Sequence, residues 1–171
     1  MTWKRATLWL AALAALVVVA FARDLFGGGS GGATRASGTV TRVVDGDTVH
    51  VRIGGADEAV RYIGVDTPET VKPNTPVQCF GKAASAFNHR MVEGEPVRLR
   101  FDAERRDRYG RLLAYVYRAR DGLFVNAALV RGGYATTLTI PPNTAHAGQF
   151  AVLERRARVD RRGLWHACPA G

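Results

Sequence analysis

Residues 38–65 carry three strand-like runs separated by turn signals, and that pattern admits little besides antiparallel β-structure. "GTVTRVV" (38–44) and "DTVHVRI" (47–53) are rich in β-branched residues and flank Asp45-Gly46, a strong short-hairpin signal. In the second run Val49, Val51 and Ile53 alternate with His50 and Arg52, the period of a strand with one buried face. Gly54-Gly55 opens the next turn, and "AVRYIGV" (59–65) makes a third strand.

The period then changes. In "CFGKAASAFNHRMVEG" (79–94) Phe80, Ala84, Phe87 and Met91 fall on one helical face, with Gly94 at the stop. "PVRLRFD" (96–102) alternates again, "RLLAYVYR" (111–118) reads as a more buried strand, and 124–133 and 147–163 read as closing helices. Three strands, a helix, two strands and C-terminal helices is the element order of a five-stranded Greek-key barrel, the OB-fold. The expected fold class is therefore α+β, with about three helices on the barrel.

The first 38 residues stand apart from this pattern. "MTWKR" is followed by an uninterrupted apolar run over 6–22, with Ala20 and Ala22 at the small-residue positions of a cleavage site. Residues 1–22 are read as a secretory signal peptide or, since a run of this length can span a bilayer, as an N-terminal membrane anchor. Either alternative puts the domain outside the cytoplasm, secreted or held at the cell envelope. The stretch 23–38, rich in Gly and Ser, reads as a flexible linker, and 39–171 as the folded domain. Two cysteines, Cys79 and Cys168, in an oxidising compartment favour a disulfide. Closing a loop of that size is worth roughly 4–5 kcal/mol on the chain-entropy account.

Charge narrows the partner. Lysine and arginine number 24 against 15 acids, a formal net charge of +9, which suits a polyanion, either nucleic acid or an anionic membrane surface. No G-x-S-x-G, Walker or dinucleotide fingerprint occurs, and the four histidines are scattered without metal-ligand spacing. No protein partner is implied and a monomer is expected.

Against this basic background two acidic stretches stand out. In "DGDT" (45–48) Gly46 permits a sharp turn that lets Asp45 and Asp47 project together. In "VDTPET" (65–70) Pro68 ends the strand and sets a rigid turn, so Asp66 and Glu69 can face a common point. Such oxygen donors suit a hard cation, but a hairpin turn and a helix start would account for the same residues. Arg61 interrupts an apolar run and Arg111 opens the fifth strand; each has the fork that grips phosphate, a structural ion pair being the alternative for Arg61 and solvated surface the general alternative for any arginine.

Taken in order, "VVDGDTV", "VRYIGVDTPET", "FGKAAS", "DRYGRLLAYVY" and "VNAALVRGGYA" resemble the thermonuclease family, the staphylococcal-nuclease-like OB-fold enzymes, across about residues 38–165. The resemblance implies a Ca²⁺-dependent nuclease that cleaves DNA, with RNA as an alternative substrate, without marked sequence preference and leaving 3′-phosphate ends. It implies that Asp47, Asp66 and the Thr67 carbonyl bind Ca²⁺, with Asp45 in the outer shell. It implies further that Glu69 activates water, that Arg61 and Arg111 clamp the phosphate, and that Arg108 and Tyr109 contact a neighbouring phosphate. The chain departs from the family at "TTLTIPPNT" (136–144), where tyrosines are expected for base stacking. A non-catalytic OB-fold nucleic-acid-binding module is the alternative; it predicts losses among these acids and arginines, and none is found.

Overall fold

The computed structural model describes residues 34–70 and 76–168. The apolar run 6–22 and the linker stretch up to residue 33 lie outside the described residues. Among the described residues no helix is long and apolar enough to cross a membrane.

The alternating runs close into a barrel in the order β1 (Arg35–Val43), β2 (Thr48–Ile53), β3 (Ala56–Tyr62), then β6 (Leu112–Arg118) and β5 (Pro96–Arg100) back to β1. Neighbours are antiparallel except β3 and β6, which run parallel. The inward faces carry Val40, Val49, Val51, Val60, Val97, Leu99 and Val116, all essentially inaccessible to solvent. Each such side chain contributes about 1.5–3 kcal/mol of burial. The expected α+β OB-fold barrel is what forms.

Strand boundaries differ from the sequence expectation most at β1 and at the third run. β1 begins at Arg35, within the stretch read as linker, because 35–39 ladder onto β5 through backbone bonds that need no apolar side chain. A register shift between Val40 and Arg42 then lets the strand leave β5 and run along β2. The third run splits at Ile63. β3 ends at Tyr62, and Gly64–Asp66 forms a separate strand, β4, paired with a strand the sequence did not suggest, β7 (Thr136–Leu138). Gly64 takes φ 79°, and a Cβ there would lie 2.5 Å from the Phe150 ring of helix α3 (Ala147–Val159). The break therefore needs glycine twice over, for its dihedral and for its contact. Asn126, buried in helix α2 (Val125–Arg131), donates to the Ile63 carbonyl and accepts from the Val116 amide, satisfying polar groups at the break.

Helix α1 (Gly81–Val92) lies between β4 and β5 in sequence and buries Ala84 and Met91 as its period predicts. Phe87 stacks on Tyr134 with ring centroids 4.0 Å apart. A last helical turn, α4 (Leu164–Ala167), leads to Cys168, which is joined to Cys79 in a disulfide across 89 residues. The expected bridge is present.

Candidate active site

The break after β3 carries "VDTPET" away from the barrel and lays it beside the β1–β2 loop. Strand β1 ends at Val43 and β2 begins at Thr48, so residues 44–47 form a longer loop than the two-residue turn the sequence suggests. Gly46 does not adopt a positive φ. Its role is close approach, since a Cβ would lie 2.6 Å from Thr67 Oγ1. Absence of a side chain is what lets the two acidic stretches touch.

Asp47 is the hinge of that contact. It is buried, and its Oδ2 accepts from the Thr67 amide at 2.8 Å and from the Thr67 hydroxyl at 2.9 Å. Its Oδ1 faces the Thr48 hydroxyl at 3.2 Å and Arg61 Nη1 at 3.1 Å. The other guanidinium nitrogen of Arg61 reaches Asp66 Oδ1 at 2.9 Å. One guanidinium thus flanks two carboxylates, and it also donates to the Val65 carbonyl at 2.8 Å. Arg61 is the structural ion pair that a charge inside a strand requires, and the same contact aligns both acids.

Asp45 accepts from the Asp47 amide at 3.0 Å, and buried Asn88 of α1 donates to the Asp45 carbonyl at 3.0 Å. Tyr62 donates to Asn88 Oδ1, and burial pushes its phenol far up. Burial, and then the charge of Asp47, push the Asp45 carboxyl up to about 6. Three carboxylates, Asp45, Asp47 and Asp66, thus stand around the single guanidinium of Arg61 in this pocket. Among the described residues no three His, Cys, Asp or Glu side chains group tightly enough to hold a metal. The available set is two carboxylates, Asp47 and Asp66, with main-chain carbonyl and water to complete it. That all-oxygen chemistry fits Ca²⁺.

These groups share one pocket of about 220 Å³, lined by Asp45, Asp47, Thr48, Arg61, Asp66, Thr67, Pro68, Glu69 and Arg111. Glu69 accepts from the Thr70 amide at 2.8 Å through Oε1. No histidine lines it. Arg111 is oriented by a residue the sequence did not single out. Asp107 Oδ2 accepts from Arg111 Nε at 2.7 Å, and Asp107 Oδ1 accepts from the Arg111 and Tyr109 amides. Spacing alone gave a signal for it, four residues before the arginine in "DRYGR". Arg108 and Tyr109 lie outside the small pocket. They line a larger cleft of about 480 Å³ that shares Arg61 and Arg111 with it. Leu138 and Ile140, from the stretch expected to carry tyrosines, form an aliphatic side of that cleft.

A barrel of this strand order is an OB-fold, and the acid- and arginine-lined pocket beside its loops holds the donor and charge types that phosphodiester cleavage uses. Comparison with known proteins narrows it. Residues 59–167 match the family described as Staphylococcal nuclease homologue. The chain is 46% identical over 126 residues to a thermonuclease of Staphylococcus intermedius, covering 74% of each protein. It is 42% identical to a thermonuclease of Staphylococcus hyicus, covering 74% of this chain and 73% of that one. It is 44% identical to endonuclease YncB of Bacillus subtilis (strain 168), over 74% of this chain and 60% of that protein. The chain belongs to the staphylococcal nuclease homologue family, and it is a nuclease that hydrolyses phosphodiester bonds.

Proposed function

We propose that the protein is a Ca²⁺-dependent endonuclease that cuts DNA, and RNA as a second substrate, with little sequence preference and outside the cytoplasm. One observation carries this reading: a single 220 Å³ pocket gathers Asp47, Asp66, Thr67, Glu69, Arg61 and Arg111. Asp47, Asp66 and the Thr67 carbonyl would hold the cation, with Asp45 in its outer shell. When bound, Ca²⁺ offsets negative charge on the phosphate oxygens.

Arg111, oriented by Asp107, and Arg61, fixed between two carboxylates, supply the positive fork that charge gathering on a pentacoordinate phosphorus needs. Glu69 orients a water and takes its proton as the oxygen attacks phosphorus opposite the 5′-oxygen. The P–O5′ bond breaks, the 5′-oxygen takes a proton from solvent, and the phosphate stays on the 3′ side. Arg108 and Tyr109 would take a neighbouring phosphate at the edge of the larger cleft. There, bases meet the aliphatic side chains of Leu138 and Ile140, which offer contact area without hydrogen-bond readout, consistent with low sequence preference. The apolar run 6–22 and the Cys79–Cys168 bridge support export, as signal peptide or anchor. N-terminal sequencing of the exported protein distinguishes these, a start at Arg23 meaning cleavage.

The purified chain should degrade plasmid DNA with millimolar Ca²⁺ and leave 3′-phosphate ends, and excess chelator should abolish the activity. Full activity after complete chelation would sink the cation assignment. Binding of DNA without cleavage under either condition would favour the non-catalytic module instead.

A further inference from the structure

Glu69 lies outside both sheets, so no strand ladder fixes it. Among the described residues Gln78 grips its backbone from both sides. Gln78 Oε1 accepts from the Glu69 amide at 2.8 Å, and the Gln78 amide donates to the Glu69 carbonyl at 2.9 Å. Gln78 is exposed, and a solvent-facing side-chain bond competes with water unless the residue making it is itself immobile.

Immobility comes from two neighbours. The Gly81 amide donates to the Gln78 carbonyl at 3.0 Å, closing a turn. Gly81 also packs so tightly that a Cβ would lie 2.9 Å from the Glu69 carbonyl oxygen and 3.0 Å from that of Pro68. The residue after Gln78 is Cys79, covalently joined to Cys168. Cys168 follows α4, whose Leu164 amide donates to the Gly133 carbonyl at 2.8 Å. Trp165 of the same turn lies 4.1 Å from the Arg158 guanidinium of α3. The bridge therefore ties the turn holding Glu69 to the helices on the other side of the chain.

We propose that Gln78, braced by the Cys79–Cys168 disulfide, is a positioning residue for Glu69, so that turnover depends on a closed bridge. The proposal rests on Glu69 activating the attacking water. Cys79 is exposed, so a dithiol reductant can reach it. Two exchange steps convert the reductant to a cyclic disulfide and leave Cys79 and Cys168 as thiols, two electrons and two protons passing to the protein.

The test uses the full chain and three brace variants: Gln78→Ala, Gln78→Glu and the double Cys79→Ser/Cys168→Ser. Steady-state kinetics are measured well below each variant's melting temperature, with Glu69→Gln as reference. Gln78→Ala and the double variant should lower kcat about ten-fold or more while KM stays within about two-fold, the signature of misplacement rather than lost binding. Gln78→Glu keeps the acceptor and should recover kcat to within about three-fold of the parent. In a Glu69→Gln background Gln78→Ala should cost nothing further, because residues acting as a unit are not additive. Dithiothreitol should lower kcat of the parent and leave the double-serine variant unchanged. A lower melting temperature with kcat within about two-fold of the parent in both Gln78→Ala and the double variant would overturn the brace and leave the base intact. A Glu69→Gln variant with parental kcat would instead overturn the base, and the brace with it.

Discussion

Arg61 makes contacts with two different consequences. With Nη1 near Asp47 Oδ1 and Nη2 on Asp66 Oδ1, it holds together carboxylates that would otherwise repel. It is only 15% exposed and Asp47 only 6%, so removing the cation leaves a poorly solvated anion. Arg61→Gln should therefore lower stability by about 3 kcal/mol without divalent metal. Added Ca²⁺ should then raise the melting temperature of the variant more than that of the parent, because the two acids lack their internal counter-ion. Equal Ca²⁺ shifts in variant and parent, read by calorimetry, would remove Asp47 and Asp66 from the proposed donor set. Asp107 acts at the same scale on Arg111. Asp107→Ala frees the guanidinium to sample other rotamers, and kcat should fall about 10–100-fold with a much smaller change in KM. Unchanged kcat in single-turnover DNA cleavage would show that Arg111 needs no such orientation.

The pocket is assembled from strand ends and the segments that join them, and polar contacts tie these connections to the barrel. Arg106 makes paired 3.0 Å bonds to both carboxylate oxygens of Glu58, fastening the β5–β6 connection to β3. Asp102, just after β5, accepts from the Ala103 amide, from the Tyr115 hydroxyl at 2.9 Å and from the Ala145 amide at 3.0 Å. Burial alone would raise its carboxyl, but the bonds from Ala145, Tyr115 and Ala103 outweigh it, and its pKa lies below the usual range. A depressed carboxyl stabilises the fold above its unfolded pKa, near 3.9, and loses that contribution as pH falls through the folded value. Asp102→Asn should cost about 1–2 kcal/mol at pH 7 and flatten the fall in melting temperature below pH ~4. Parallel melting curves for parent and variant across pH 2–7 would show that Asp102 does not carry this acid sensitivity. The same connections mark what a sequence reveals. Val49 and Val51 declare their strand because burial on one face imposes a period of two. The acids around Gly46 and Pro68 declare a site because oxygen donors cluster in an otherwise basic chain. β7 declares nothing, being two half-buried threonines and an exposed leucine that pair with β4 opposite. Asn88 and Asn126 look like ordinary polar residues in helices, and their partners, Asp45 and Ile63, lie 43 and 63 residues away. Gly46 was legible as important but for another reason, since its contact with Thr67 exists only after folding.

At the scale of the whole molecule, charge and site have opposite signs. The chain carries +9 overall, yet the proposed cation site concentrates its acids in one pocket next to a cleft edged by Arg61, Arg108 and Arg111. A polyanion is drawn by the general field, but affinity comes from the phosphates neutralised at close range, each releasing condensed counter-ions. If those three arginines make the close contacts, log(kcat/KM) against log[salt] should have a slope of about −2 to −3 on DNA. Arg108 is exposed, stacks over Tyr109 at 4.8 Å and donates to its hydroxyl, and it has no acidic partner among the described residues. Arg108→Ala should flatten the salt slope by about one, raise KM at physiological salt and leave kcat nearly unchanged, because its phosphate is not the one that reacts. A variant with the parental slope and a reduced kcat would move Arg108 from binding the neighbouring phosphate to acting on the scissile one.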